Sequence, residues 1–238
     1  MGILDILFPK HCVGCRKSGG YICFTCFARI SFDVDTMCTV CNKPSIDGRT
    51  HPICRGRYTL DGTFSAVKYK GIMQKVLYQL KYPPYLVDLV PTLGELCFES
   101  CIQNEVLAQV LPKNPILIPI PLSRKRLRKR GYNQAELLAK ELGKRFGLEV
   151  RMVLQRSKET TPQYGLKREE RIENMKEAFE IQTKMHESAT TRHDGVHHDR
   201  VAILVDDVLT TGSTMLEAAK ILKKNGFKEV WGMALAKD

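Results

Sequence analysis

Nothing in the 238 residues approaches the run of about eighteen apolar residues that a membrane-crossing helix requires, so no transmembrane segment is expected. The opening Met1-Gly2-Ile3-Leu4-Asp5-Ile6-Leu7-Phe8-Pro9 lacks both the basic leader and the length of a signal peptide. Ile6 stands where a myristoylation signal wants Ser or Thr. The expected compartment is therefore cytoplasmic, where cysteines stay reduced. Aromatic residues are few, 8% with a single Trp, which leaves little to stack on unpaired bases. Carboxylates are in deficit as well: 26 Asp and Glu face 37 Lys and Arg, a formal net charge of +11. That balance points to an anionic partner (nucleotide, nucleic acid or membrane surface) without choosing among them. The length leaves room for one α/β domain and something small beside it.

Cysteine is unevenly spread, with seven of nine between Cys12 and Cys54. The spacing is Cys12-x2-Cys15, Cys23-x2-Cys26 and Cys38-x2-Cys41, then His51-x2-Cys54. In a chain without a secretion signal, repeated C-x2-C pairs indicate zinc rather than disulfides. Three regular pairs also exceed what a redox dithiol requires. One ion is assigned to Cys12, Cys15, Cys23 and Cys26, four thiolates that make a closed structural site. A second would use Cys38, Cys41 and Cys54, with His51 the natural fourth ligand because Arg57 occupies the place where a further C-x2-C would end. That second site is otherwise weak or vestigial, and the pairs stay open between a sequential and an interleaved arrangement. Residues 1–60 are too few for much core, so metal supplies most of their folding energy, on the order of 10 kcal/mol per site.

The most informative stretch is Val201-Ala202-Ile203-Leu204-Val205-Asp206-Asp207-Val208-Leu209-Thr210-Thr211-Gly212-Ser213-Thr214-Met215. Five apolar residues read as a strand buried on both faces, ended by two carboxylates. A helix follows, with Met215, Ala218, Ala219 and Leu222 as its apolar stripe and Ser213 or Thr214 as its cap. A helix start offers N–H groups and positive dipole to a phosphate. Gly212 lets backbone approach the anion, and the hydroxyls of Thr210, Thr211, Ser213 and Thr214 add donors. Asp206 and Asp207 are acceptors for two vicinal sugar hydroxyls, so the pattern describes a phosphorylated ribose.

Ahead of it, residues 63–70 alternate like a strand and 71–81 read as an amphipathic helix. A second helix covers 86–111, with Cys97 and Cys101 as core residues, and Ile116 to Pro121 forms a short strand. Between this strand and a helix opening at Asn133, where ligands bind in open α/β sheets, lies a basic run. It comprises Ser123, Arg124, Lys125, Arg126, Arg128, Lys129, Arg130 and Gly131, candidates to hold a diphosphate or a nucleic-acid backbone. Asn133 and Glu136 form a cap pair for that helix, and Ala135, Leu138, Ala139, Leu142 and Phe146 line its buried face. Residues 160–167 are turn-rich, like a mobile loop. Residues 183–199 hold four of the six histidines and read as a polar insertion. A closing strand, Val230 to Ala236, is expected beside the one at Val201.

Taken together, the chain resembles the ComF family of competence-associated, phosphoribosyltransferase-like proteins. The resemblance rests on the N-terminal cysteine pairs, Tyr69-Lys70-Gly71 with Lys81, and Pro121-Leu122-Ser123 followed by Arg130-Gly131-Tyr132-Asn133-Gln134. It continues through Gln163, Arg171, Asn174 and Ala178-Phe179 to Asp206-Asp207 and Thr214. It departs from the family at Arg57 and in the long insertion. The resemblance implies an α/β type I phosphoribosyltransferase fold over 61–238, a parallel sheet flanked by helices, behind a zinc-ribbon module at 1–60. It also implies binding of phosphoribosyl diphosphate (PRPP) with Mg2+ bridging its diphosphate. Asp206 and Asp207 become catalytic, Pro121 to Gly131 the diphosphate loop, and Gln163, Arg168 and Arg171 parts of a closing lid. The implied role is natural transformation, handling incoming single-stranded DNA with the uptake machinery, peripheral to the inner membrane.

Two functional classes follow. As a phosphoribosyltransferase, the chain would replace the diphosphate of PRPP with a nucleophile such as a base nitrogen, although no acceptor pocket or general base is legible. As a single-stranded DNA-binding module, it would keep the PRPP site for sensing or backbone phosphate. Arg124 to Arg130, Arg55, Arg57 and Tyr132 would then track the strand.

Overall fold

The computed structural model describes residues 9–157, 170, 175, 177–182 and 200–238. Two cysteine knuckles come first, with one four-residue helix, α1 (Phe24–Phe27), in the first of them. Strand β1 (Gly62–Lys68) and helix α2 (Ile72–Lys81) follow as the periodicity requires, Ile72, Met73, Val76, Leu77 and Leu80 forming the buried stripe. The single helix expected over 86–111 is instead broken. After a 3-10 turn, α3 (Val90–Ile102) stops, and Asn104 opens α4 (Glu105–Val110) by accepting from the Leu107 N–H at 3.0 Å. A side chain that satisfies an orphan N–H favours a new helix start over continuation. Cys97 and Cys101 are fully buried on α3, as expected.

Next come β2 (Ile116–Pro119), α5 (Arg124–Arg130), α6 (Gln134–Phe146), β3 (Leu154–Arg156) and β4 (Phe179–Ile181). The chain closes with β5 (Val201–Leu209), α7 (Ser213–Lys224) and β6 (Glu229–Lys237). Four strands make one parallel sheet in the order β1-β6-β5-β2, and β3 pairs with β4 as an antiparallel ribbon. One face of the sheet is covered by α2, α3, α4 and α6, the other by α7 and the β3–β4 ribbon. Val201 to Val205 are buried, as a strand covered on both sides must be.

Two details differ from the expectation. The acidic pair does not end β5, because β6 continues beside it and pairs Asp206 with Ala234, Val208 with Ala236 and Leu209 with Lys237. The basic run is not a loop but the seven-residue helix α5, since Ser123 caps its start and Gly131, at φ 82°, ends it.

The topology fixes where a ligand can go. From β2 the chain passes through α6 to Val150, which bridges in parallel to Leu117 on the outer edge of β2. From β5 it passes through α7 to β6, in the opposite direction across the sheet. The two connections diverge between β2 and β5, and a crevice opens at the carboxyl ends of those strands.

Candidate functional site

At the end of β5, the Asp206 carboxylate accepts from the Asp207 N–H at 2.8 Å. Asp207 is 6% exposed and meets Lys81 Nζ at 2.8 Å, the lysine arriving from the last residue of α2. Burial, the largest single influence, would lower the pKa of Lys81, but the charge and hydrogen bond of Asp207, with the charges of Asp206 and Tyr69, together outweigh it and the net shift is upward. Asp206 is pushed up to about 8, first by burial and then by the Asp207 charge. A pair of carboxylates with a single cation thus waits as an acceptor site with one proton to lose. Lys81 is the residue whose role no sequence spacing announces; it enters the sequence comparison without a function.

Beyond the pair, Thr210 and Thr211 lead to Gly212, at φ +76°, and α7 starts at Ser213. The expected capping by Ser213 or Thr214 is not found. The N-cap is Gly212, which has no side chain, and the Ser213 N–H donates instead to Thr211 Oγ1 at 3.4 Å, at a helix start whose dipole suits an anion. Thr211 Oγ1 donates to Ser213 Oγ at 3.0 Å, which gathers the hydroxyls at the same turn. Thr214 is half-buried one residue on.

Across the crevice, β2 still pairs with β5 at Ile120, whose N–H donates to the Val205 carbonyl at 2.9 Å. Residues 121–123 then lead into α5. Arg124, Lys125, Arg128 and Lys129 are exposed, while Arg126 and Arg130 are half-buried, with Arg130 bonded to Gln134. Asn133 Nδ2 donates to the Ile120 carbonyl at 2.9 Å, and its Oδ1 accepts from the Ala135 N–H at 3.1 Å. Its expected cap partner Glu136 instead pairs with Lys140. Tyr132 donates to the Leu80 carbonyl at 2.6 Å and Tyr85 to the Lys129 carbonyl at 3.4 Å. These two bonds pin the end of the basic helix to the end of α2, next to Lys81. The lid candidates Gln163, Arg168 and Arg171, with Asn174 and the insertion at 183–199, lie outside the described residues.

In the N-terminal module, Cys12, Cys15, Cys23 and Cys26 place their sulfurs within 4.8 Å of one another, and so do the ligand atoms of Cys38, Cys41, His51 and Cys54. The arrangement is therefore sequential, and His51 occupies the fourth place of the second group. Its Nδ1 lies 3.3 Å from Cys41 Sγ, while Nε2 lies 3.0 Å from the Pro44 carbonyl. A proton on Nε2 donated to that carbonyl turns the Nδ1 lone pair toward the sulfurs, as a ligating histidine needs. Burial would raise Cys12, but the N–H groups of Cys23, Cys15 and Gly14 bring it down to about 6. Likewise, burial of Cys38 is outweighed by the N–H groups of Cys41, His51 and Val40, giving about 7. Four sulfurs in one group and three with an imidazole in the other are donor sets that fit zinc. Arg57 lies away from them, over the Tyr58 ring at 5.2 Å.

Comparison with known proteins agrees with both halves. Residues 3–56 match the double zinc ribbon domain and residues 127–237 the phosphoribosyl transferase domain. The chain is 41% identical over 123 residues to competence protein F of Haemophilus influenzae, covering 50% of each chain. It is 26% identical over 239 residues to DNA utilization protein YhgH of Escherichia coli O6:H1, covering 88% of this chain and 95% of that one. With competence protein ComFC of Bacillus subtilis it shares 23% over 219 residues, 86% of this chain and 79% of the other. The match thus spans half the length of the Haemophilus protein and most of the other two. The helix-flanked parallel sheet is a phosphoribosyltransferase fold, the cysteine knuckles are structural zinc ribbons, and the chain belongs to the ComF family.

Proposed function

We propose that the chain binds PRPP with Mg2+ at the carboxyl end of β5 and serves DNA uptake as a phosphoribosyltransferase-like protein. The observation that carries this is the Lys81–Asp207–Asp206 group set beside a helix start opened by Gly212. The N–H groups and hydroxyls of 210–214 take the 5′-phosphate, and Asp206 and Asp207 accept from the ribose hydroxyls. Ser123 and the cations of α5 face the diphosphate, with Gln163, Arg168 and Arg171 as the lid. Magnesium bound with PRPP would supply charge neutralisation for the departing diphosphate. In transfer, the bond from C1 to the diphosphate oxygen breaks and a base nitrogen supplies the electron pair of the new bond. Arg and Lys hold the departing anion while the aspartates steady the ribose. Isothermal calorimetry on zinc-loaded protein tests the binding step. Heat with PRPP and magnesium, lost in Asp207→Asn, is expected, and no heat with wild type refutes the site. Release of diphosphate with a panel of bases then tests transfer, and binding without turnover would leave a sensor.

The names of the relatives, competence and DNA utilization proteins, support the uptake role; on this reading the partners are the uptake machinery at the cytoplasmic side of the inner membrane. No helix among the described residues is long and apolar enough to cross a membrane. A second reading, direct binding of single-stranded DNA, is favoured by one surface. Tyr78 and Tyr82 stack at 4.5 Å and are 53% and 45% exposed. Tyr78 edges a groove of about 460 Å³ between the first ribbon and α2, lined also by Arg16 and Lys75. Residues 62–87 and 106–135, which carry this face and α5, contain no Asp or Glu. Chain segments without carboxylates beside an exposed aromatic pair suit an unpaired strand, and the pair compensates for the overall scarcity of aromatics. Filter binding against salt should show a steep slope, with Tyr78→Ala and Tyr82→Ala weakening single strands more than duplex. A flat slope would exclude this surface.

A further inference from the structure

The second zinc knuckle does more than fold itself. Its tip consists of Thr39 and Val40, held between the ligands Cys38 and Cys41 and closed by the Asn42 N–H bonding to the Cys38 carbonyl at 2.8 Å. Thr39 is 5% exposed, and the turn at Gly212 lies against its side chain. A Cβ added at Gly212 would lie 2.8 Å from Thr39 Cγ2 and 3.0 Å from Thr39 Cβ. The glycine is thus required twice, by its positive φ and by the threonine pressed against it. Around this contact the knuckle and the loop form two walls of one cleft of about 450 Å³. Asp35, Met37 and Asn42 lie on the knuckle side, Thr210 and Thr211 on the loop side, and Lys237 and Asp238 at the end of β6. The knuckle is fastened there by Lys237, which donates to the Asp35 carbonyl at 2.7 Å, and by Lys68, which reaches Asp33 at 3.4 Å and Asp35 at 3.3 Å.

We infer that Thr39 is a positioning residue for the 210–214 loop: packed on Gly212 and held by the zinc ligands on either side of it, it keeps the loop in the shape that receives the phosphate. The reason is mechanical. A glycine at a turn has more backbone freedom than any other residue, and the loop's hydroxyls and N–H groups converge only while that freedom is suppressed. The constraint comes from a segment with little core of its own, whose fold depends on metal, so zinc at the second site is coupled to order in a loop on another part of the chain. The loop's ligand rests on the PRPP reading above; its dependence on Thr39 does not.

The test uses full-length, zinc-loaded protein with two readouts, hydrogen exchange at 210–214 and calorimetry with PRPP. Thr39→Ala and Thr39→Ser both remove Cγ2 and are expected to speed exchange at 210–214 and weaken PRPP about five- to tenfold. Amides of Val201 to Val205 should be unmoved and the zinc content unchanged. Thr39→Val keeps a branched side chain against Gly212 and should restore both readouts. His51→Ala, which removes a ligand of the second site, should loosen the same loop further. Because His51→Ala can unfold the knuckle, the Thr39 variants, with zinc retained, are decisive. Unchanged exchange at 210–214 in Thr39→Ala would overturn the inference. Faster exchange there, in a protein whose wild type gives no heat with PRPP, would uphold the positioning role while sinking the PRPP site.

Discussion

Asp206→Asn should make the protein more stable and its sugar site worse, and the size of the first effect follows from the site's electrostatics. A carboxyl that ionises near 3.8 when exposed is held at about 8 in the folded chain by burial and by Asp207. The native state therefore binds more protons than the unfolded state between about pH 4 and pH 8, and wild-type stability falls as pH rises through that window. At pH 7 the linked cost is on the order of 4 kcal/mol, of which local relaxation leaves about 2–4 kcal/mol to recover. Asparagine carries no charge, and its Oδ1 can still accept the Asp207 N–H now bonded at 2.8 Å. Urea unfolding of both proteins at pH 5, 6, 7 and 8 is the assay. Zinc release affects wild type and variant alike at each pH, so the difference between them isolates residue 206. That difference should be smallest at pH 5, about 1–2 kcal/mol, and grow steadily to pH 8, with affinity for PRPP and magnesium falling at least tenfold. A variant no more stable than wild type at pH 8, or a difference that ignores pH, would refute the reasoning. The same linkage requires that PRPP and magnesium release a proton at pH 7, visible as calorimetric heats that depend on the ionisation enthalpy of the buffer.

Three further outcomes are expected. Lys81→Met strands the Asp207 carboxylate, 6% exposed, and should cost about 3–5 kcal/mol in urea unfolding; Asp207→Asn in the same chain should return part of it. His51→Ala should lower bound zinc from two ions to one, while His51→Cys keeps both, as mass spectrometry of the metal content would show. Gly94→Ala would drive a Cβ into Glu141 Cγ, where α3 meets α6. It should cost about 1–3 kcal/mol, with the denaturant slope unchanged.

What the sequence reveals and what it hides divide along a physical line. The strand at Val201, the helix at Ile72 and the cysteine groups are legible because each is a short-range pattern: an apolar run, a period near four, a two-residue gap. The long helix over 86–111 misleads because its apolar spacing continues through Gln103 and Asn104, and only the side chain of Asn104 decides in favour of a new start. The basic run looks like a loop because its seven residues include one apolar residue, Leu127, and so show no amphipathic period; caps at both ends make it a helix. Lys81 and Thr39 are illegible for another reason. Their roles depend on partners 126 and 173 positions away, Asp207 and Gly212, and no local period records a contact made by topology.

That topology also bears on why a zinc ribbon sits on this sheet at all. Lys68 and Lys237, which grip the acidic backbone and carboxylates of 33–35, stand at the carboxyl ends of β1 and β6, the same edge of the sheet that carries Asp206 and the 210–214 loop. A ribbon tethered at the opposite edge, or joined by a linker alone, would leave the sugar site indifferent to metal. Here the knuckle lies on one flank of the loop, the crevice toward β2 and α5 opens on the other, and the loop is shared by both. Chelation of zinc should therefore loosen the 210–214 amides before it exposes the buried amides of β5, whereas a ribbon folded independently of the sheet would give up its metal without any change at the loop.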